Sequence, residues 1–376
     1  MPTVKFVASP RTDFAAVLRG RVKAYFKENN LSQKDDGTVV RKGIVMLSLY
    51  LIPFIVVLAV AGLPGWAIIL LGVVQGIGLA GVGMCLMHDS LHGALSPSQK
   101  VNERWGASIY LLGGSAFSWK MQHNKAHHTY TNLLGHDEDI RERSYLRFCP
   151  HAPWRPIHRY QHWYALLLYP LMTISLLVKD FTSLKVYERE GLLAQEKTTY
   201  ARQLGMLLFS KGLFLVLFIG GPLATGTLTL GASLLYFLLV QGVAGFIMSV
   251  IFQLAHVVEE TTHPLVAPSG IVESDWMIHQ LETTANFCPG NRLLNYYTGG
   301  LNYQVEHHLF PNISHIHYPA LSHIVKETAT EFGVVYNQSP RFGQIFSSHL
   351  RFLRQLSLKP APIATSSAEP AVLMAN

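Results

Sequence analysis

The chain has 376 residues, a formal charge of +7, 49% hydrophobic side chains and only 14% charged ones. That balance excludes an ordinary soluble domain. The basic excess fits membrane topology and anionic headgroups better than nucleic acid, which is not expected as a partner.

Residues 1–42 form a basic arm with nine Lys or Arg, including Arg19, Arg21, Lys23, Arg41 and Lys42. These mostly polar residues precede the first apolar run, so no signal peptide is expected. Residues 43–87 contain no Asp, Glu, Lys, Arg or His. The run exceeds one span of about 20 residues and is broken at Gly62-Leu63-Pro64-Gly65, which predicts a hairpin of helices over 43–62 and 66–87.

The 14 apolar residues Trp105–Ser118 are too few to span and are expected at the interface or re-entrant. Tyr160–Val178 also lacks Asp, Glu, Lys and Arg. Crossing parity places this 160–178 stretch in the interface, with Trp163, Tyr164 and Tyr169 as anchors. Residues 212–255 are again free of charge and histidine, broken at Gly220-Gly221-Pro222. They predict a second hairpin, 205–225 and 229–256, with Lys211 snorkelling to the headgroups.

The fold class expected is thus an all-α integral membrane protein with four transmembrane helices as two hairpins. Interfacial helices lie at 105–118 and 160–178, and a membrane domain covers 43–358. Because the basic residues avoid both hairpin turns, the termini and active site are expected on the cytoplasmic side. The tail 359–376 is low in complexity and expected to be disordered. Cys85, Cys149 and Cys288 are too scattered for a disulfide framework.

Histidines cluster beside these spans. His88 and His92 stand at i and i+4, His123 and His127 repeat that spacing with His128 turned to a neighbouring direction, and Gln304 precedes His307 and His308. His256 ends the fourth helix. Eight imidazoles on one predicted face exceed what one ion can use, so a dimetal site in a cytoplasmic cap is expected. Asp89 and Glu306 are candidate acceptors for imidazole N–H groups. His136, His151, His158, His162, His263, His279, His323 and His349 are read as structural or solvated. His315 and His317, close behind the last cluster, are left open.

With H-x-x-x-H at His88–His92, H-x-x-x-H-H at His123–His128 and Q-x-x-H-H at Gln304–His308, the sequence resembles the membrane fatty acid desaturases. Glutamine at the head of the third box marks the front-end subgroup, here most like bacterial delta-6 acyl-lipid and linoleoyl-CoA-type members. The resemblance runs from about residue 15 to 350, including 127–140 and 307–319. It implies a di-iron centre that uses O2 as co-substrate to remove two hydrogens from adjacent methylenes of an acyl chain. It would be held by His88, His92, His123, His127, His128, His307 and His308, with Gln304 at or near a ligand place and His256 as the extra histidine. Stearoyl-type relatives have an Asn one turn before that histidine, where this chain has Phe252.

The expected reaction is front-end desaturation, delta-6 first, on a membrane lipid or acyl-CoA. Trp119 and Asn124, with Lys120, are candidate substrate contacts. No His-Pro-Gly-Gly haem motif is present, so electrons are expected from a separate donor, ferredoxin or else cytochrome b5. The competing readings are a histidine-box hydroxylase or related oxygenase, and more distantly a metal transporter, against which the charge-free spans argue.

Overall fold

The computed structural model describes residues 4–7, 13–35, 37–141 and 143–360, so most of the 359–376 tail and parts of the arm lie outside the described residues. The chain is mostly helical. In a bilayer every backbone N–H and C=O must be satisfied within the protein, and helices of uncharged residues do this within one segment.

Among the described residues, five helices are long and apolar enough to cross a membrane. Helix α1 is Phe14–Glu28 in the arm, and the first two long helices follow as α2, Thr38–Ala59, and α3, Gly65–Leu91. They turn back on each other at Gly62. Helix α4, Gln99–Gly106, continues as a 3-10 turn, Ala107–Leu112, and ends at Gly113 with φ +76°. Helix α5 covers 116–130. The other long helices are α6, Pro156–Arg189, α7, Tyr200–Ala224, and α8, Leu230–His256. Helices α9, Trp276–Thr283, α10, Arg292–Thr298, α11, Gln304–Leu309, α12, Tyr318–Glu331, and α13, Phe342–Ser357, complete the chain.

Helix α3 is the central member, pressed between α2 and α8. Small residues allow this close approach. A Cβ on Gly76 would stand 2.8 Å from the carbonyl oxygen of Val240 on α8. Since both α3 and α8 carry histidines at their last turns, this contact fixes those ends side by side. Above them α1 packs on α12 through Phe14, Leu18, Val22, Leu321 and Val325. Two short parallel pairs, Lys5–Phe6 with Ile271–Val272 and Asn286–Phe287 with Gln338–Ser339, tie distant loops together.

Three expectations change. Lys211 does not snorkel: it is buried, 2.7 Å from the Asp180 carboxylate, and donates to the carbonyls of Gly113 at 2.6 Å and Leu176 at 2.8 Å. An interior carboxylate plus two backbone carbonyls outcompete the headgroup, because together they occupy the ammonium's three donors. Tyr169 is not an anchor; it is buried and donates to His349 at 2.7 Å. Tyr164 donates to the carbonyl of Tyr145 at 2.6 Å, so only Trp163 of the three expected anchors, 75% exposed, faces outward freely.

Candidate metal centre

Box by box, the backbone explains how the imidazoles meet. The stretch before His88, Val82–Met87, is wound as a π-helix, and so is Lys120–His127 within α5. π segments are frequent at functional sites because the extra residue re-aims side chains. Here it brings residues five apart together: Nε2 of His123 lies 3.2 Å from Nε2 of His128. This local winding, which the i, i+4 pattern does not reveal, brings His128, expected in a neighbouring direction, onto His123.

The eight imidazoles converge. Possible ligand atoms of His88, His92, His123 and His307 lie within 4.8 Å of one another, and so do those of His127, His256 and His308. His128 stands between, grouped with His307 and His308. Gln304 completes the second group, its Nε2 3.0 Å from Nε2 of His256 and 3.5 Å from that of His308. All but His92 are buried.

Outer partners turn the rings. Nδ1–H of His127 donates to Asp137 at 3.1 Å and lies 3.4 Å from Asp139. That of His308 donates to Oε1 of Gln280 at 2.9 Å, that of His307 to the Tyr318 hydroxyl at 3.2 Å, and that of His256 to the carbonyl of Thr283 at 3.4 Å. With Nδ1 engaged outward, each of these four rings presents Nε2 inward. This is how neighbouring acceptors fix tautomer and direction in metal-binding histidines.

Asp89 and Glu306 do not serve this purpose. Asp89 lies 2.9 Å from Nδ1 of His315, whose Nε2 meets Nζ of Lys42 at 3.0 Å. Glu306 accepts from Asn286 at 2.7 Å and Tyr336 at 2.9 Å. His315 is thus engaged between Lys42 and Asp89, and His317 packs edge-on against Phe26. Sequence reasoning missed Asp137 and Asp139, though the acidic run 137–139 lay in plain view ten residues after His127. Nothing in the sequence singled out Gln280 or Tyr318.

Electrostatics suit neutral ligands. Burial pushes His92, His123, His128, His307 and His308 well below the ordinary histidine range, leaving lone pairs free. Burial acts the same way on His127, but the Asp137 carboxylate outweighs it and raises that ring. The donor set fits metal ions on the structure's own terms. Nε2 of His92, His127 and His307 and Oε1 of Gln304 are buried with no hydrogen-bond partner among the described residues, a costly state unless something binds them.

A cavity of about 920 Å³ opens on this centre, reaching His88, His123 and Gln304. Its walls are largely apolar, from Gly83, Met84, Leu112, Leu168, Met172 and Met248. Trp119 lines it too, its ring 4.5 Å from that of His123. Asn124 does not. It caps the end of α3 by donating to the carbonyl of Leu91 at 3.1 Å and, with Lys120, lines a separate depression of about 250 Å³ beside His92.

Comparison with known proteins follows the same boxes. The fatty acid desaturase family profile matches residues 64–340. The chain is similar to a protein named sn-1 linoleoyl-lipid 6-desaturase in Arthrospira platensis, 32% identical over 366 residues, covering 95% of this chain and 96% of that one. A Synechocystis protein of the same name is 36% identical over 364 residues, 94% and 97% of the two chains. An acyl-lipid (8-3)-desaturase of Mortierella alpina is 31% identical over 361 residues, 93% of this chain and 79% of that one.

Proposed function

The chain belongs to the fatty acid desaturase family, and we propose that it is a multi-pass membrane front-end desaturase acting on lipid-bound acyl chains, delta-6 first. The carrying observation is that eight imidazoles and one amide converge at a largely apolar cavity of about 920 Å³. The lipid-bound substrate and delta-6 position rest on what the Arthrospira and Synechocystis relatives are named for.

His88, His92, His123 and His307 would hold one iron, and His127, His256, His308 and Gln304 the other, with His128 between them. When bound, the iron pair activates O2 for removal of two hydrogens from adjacent methylenes. The protein's own part is placement: the cavity walls hold the chain beside the histidines and keep water out, and Trp119 closes the wall against His123. Asp137, Gln280, Tyr318 and the Thr283 carbonyl hold the rings.

We read the chain as having four spans, with the centre on the cytoplasmic side because the basic residues avoid both hairpin turns. The rings of His127 and His256 lie 4.7 Å apart, so an even number of crossings must separate them. Of the three long helices between them, α7 and α8 are proposed to cross as a hairpin and α6, though also long and apolar enough to span, to lie along the membrane surface. Reducing equivalents would come from a donor protein; an acidic ferredoxin suits a basic chain.

Expression in a host supplied with linoleic acid, with double-bond positions read from the products, tests the reading. A new cis bond on the carboxyl side of the existing one is expected. An added oxygen would indicate a hydroxylase, and a bond on the methyl side would overturn the front-end assignment.

A further inference from the structure

Two hollows beside the centre differ in chemistry. The cavity of about 920 Å³ that reaches His88, His123 and Gln304 has largely apolar walls, with Met84, Leu112 and Met248 among them. The depression of about 250 Å³ beside His92 is walled mostly by polar groups, among them Ser90, Gln99, Asn102, Glu103 and Asn124. His92 lines the depression and not the cavity, and it alone of the eight imidazoles is not fully buried.

A divalent ion in water is tightly hydrated, and moving it along apolar walls strips that shell with nothing in return. Oxygen and nitrogen donors along the depression replace the waters instead. The carboxylates of Glu103 and Glu196 belong to exposed residues. Asn124 is half-buried: its Nδ2 is spent on the carbonyl of Leu91, while its Oδ1 is buried with no hydrogen-bond partner among the described residues. That oxygen is an acceptor, which a hydrated cation satisfies. Nε2 of His92, likewise without a partner among the described residues, belongs to the group with His88, His123 and His307.

One ion pair joins the walls of the depression. Lys125, in the π-wound turn between His123 and His127, meets Glu196, between α6 and α7, at 2.6 Å. Lys120 and Lys125 stand against Glu103 and Glu196, so net charge neither draws a cation in nor bars it. We propose that this depression is the entry port for divalent iron, with Oδ1 of Asn124 as the acceptor that hands the ion to His92 and the Lys125–Glu196 pair as a latch across the port. The inference rests on the metal-centre reading and adds how the centre fills in a chain already folded.

The test follows iron content against time when the metal-free protein in detergent receives excess ferrous ion without oxygen. Lys125→Met removes one exposed ion pair and should speed uptake roughly two- to fivefold, with the same final iron content as wild type. Gln99→Cys puts a thiol at an exposed position of the depression, while Cys85, Cys149 and Cys288 are buried and out of reach of a polar reagent. Capping that thiol with a bulky thiosulfonate should slow uptake several-fold at unchanged final content, and removing the cap should restore the rate. If the cap also lowers the final content it has disturbed the centre, and the rate of Lys125→Met decides alone. Wild-type rates in both the capped protein and Lys125→Met overturn the proposal, and slowing only by an acyl lipid that fills the larger cavity assigns entry to that side. Failure of wild type to take up iron would instead defeat the metal-centre reading itself.

Discussion

Nδ1 of His127 stands 3.1 Å from Oδ2 of Asp137, with both side chains buried, and the same carboxylate accepts the backbone N–H groups of Asn132 and Asp139, each at 2.9 Å. The carboxylate is therefore held by its own loop before it orients the ring. Asp137→Asn keeps the size but loses the charge and can present an N–H to the imidazole. Iron affinity should drop about 10–100-fold, checked by metal content after dialysis against a chelator of known strength.

Gln304 is the one place in the boxes where an amide takes part. Gln304→Leu should strip the group formed with His127, His256 and His308 of its fourth donor, the amide oxygen, and lower bound iron toward about half, since three donors hold an ion more weakly than four. Gln304→His supplies a nitrogen donor in its place and should recover iron. Metal analysis of the two variants beside wild type decides this, and equal iron in all three would remove Gln304 from the ligand set.

Lys211 and Asp180 form a buried pair within the helical domain. Lys211→Met leaves the Asp180 carboxylate unpaired, and breaking such a pair from one side costs roughly 3–5 kcal/mol. The variant should melt well below wild type in detergent. The double variant Lys211→Met/Asp180→Leu should recover much of that loss, because no uncompensated charge remains.

Glu306 is fully buried, and burial raises its carboxyl to about 7 against the donors Asn286 and Tyr336, which oppose the shift. Because the folded value lies above the unfolded one, the folded chain holds the proton longer. This contribution favours the fold at low pH, weakens as pH rises from about 4.3 to the folded value, and is level above it. Glu306→Gln should flatten the fall in melting temperature of the metal-free protein between those limits. An unchanged slope would count against the assignment.

How far the sequence alone reaches can be judged from individual residues. Uncharged runs and their Gly-Pro breaks placed the α2–α3 and α7–α8 hairpins within a few residues, because the bilayer leaves the backbone few alternatives. The histidine boxes were legible because residue type and spacing together carry the chemistry. What escaped was decided by tertiary placement. Lys211 found a buried carboxylate and two backbone carbonyls, Tyr169 found His349 across the fold, and Asp89 paired with His315 instead of a box imidazole. Gln280 and Tyr318 hold the rings of His308 and His307 from separate helices, and no local pattern announces such residues.

The π-wound turns at Val82–Met87 and Lys120–His127 carry a further implication. Each holds one residue more than an α turn would over the same path, so removing a single non-histidine residue there would restore ordinary winding while the flanking helix kept its path. The side chains within the turn would be re-aimed, since successive α residues stand about 100° apart. His123 and His128, whose Nε2 atoms meet at 3.2 Å across the π turn, would no longer face each other. Chain length at these two places is thus under a constraint as strict as the identity of the histidines, and a one-residue deletion would disable the centre while leaving every one of them in the sequence.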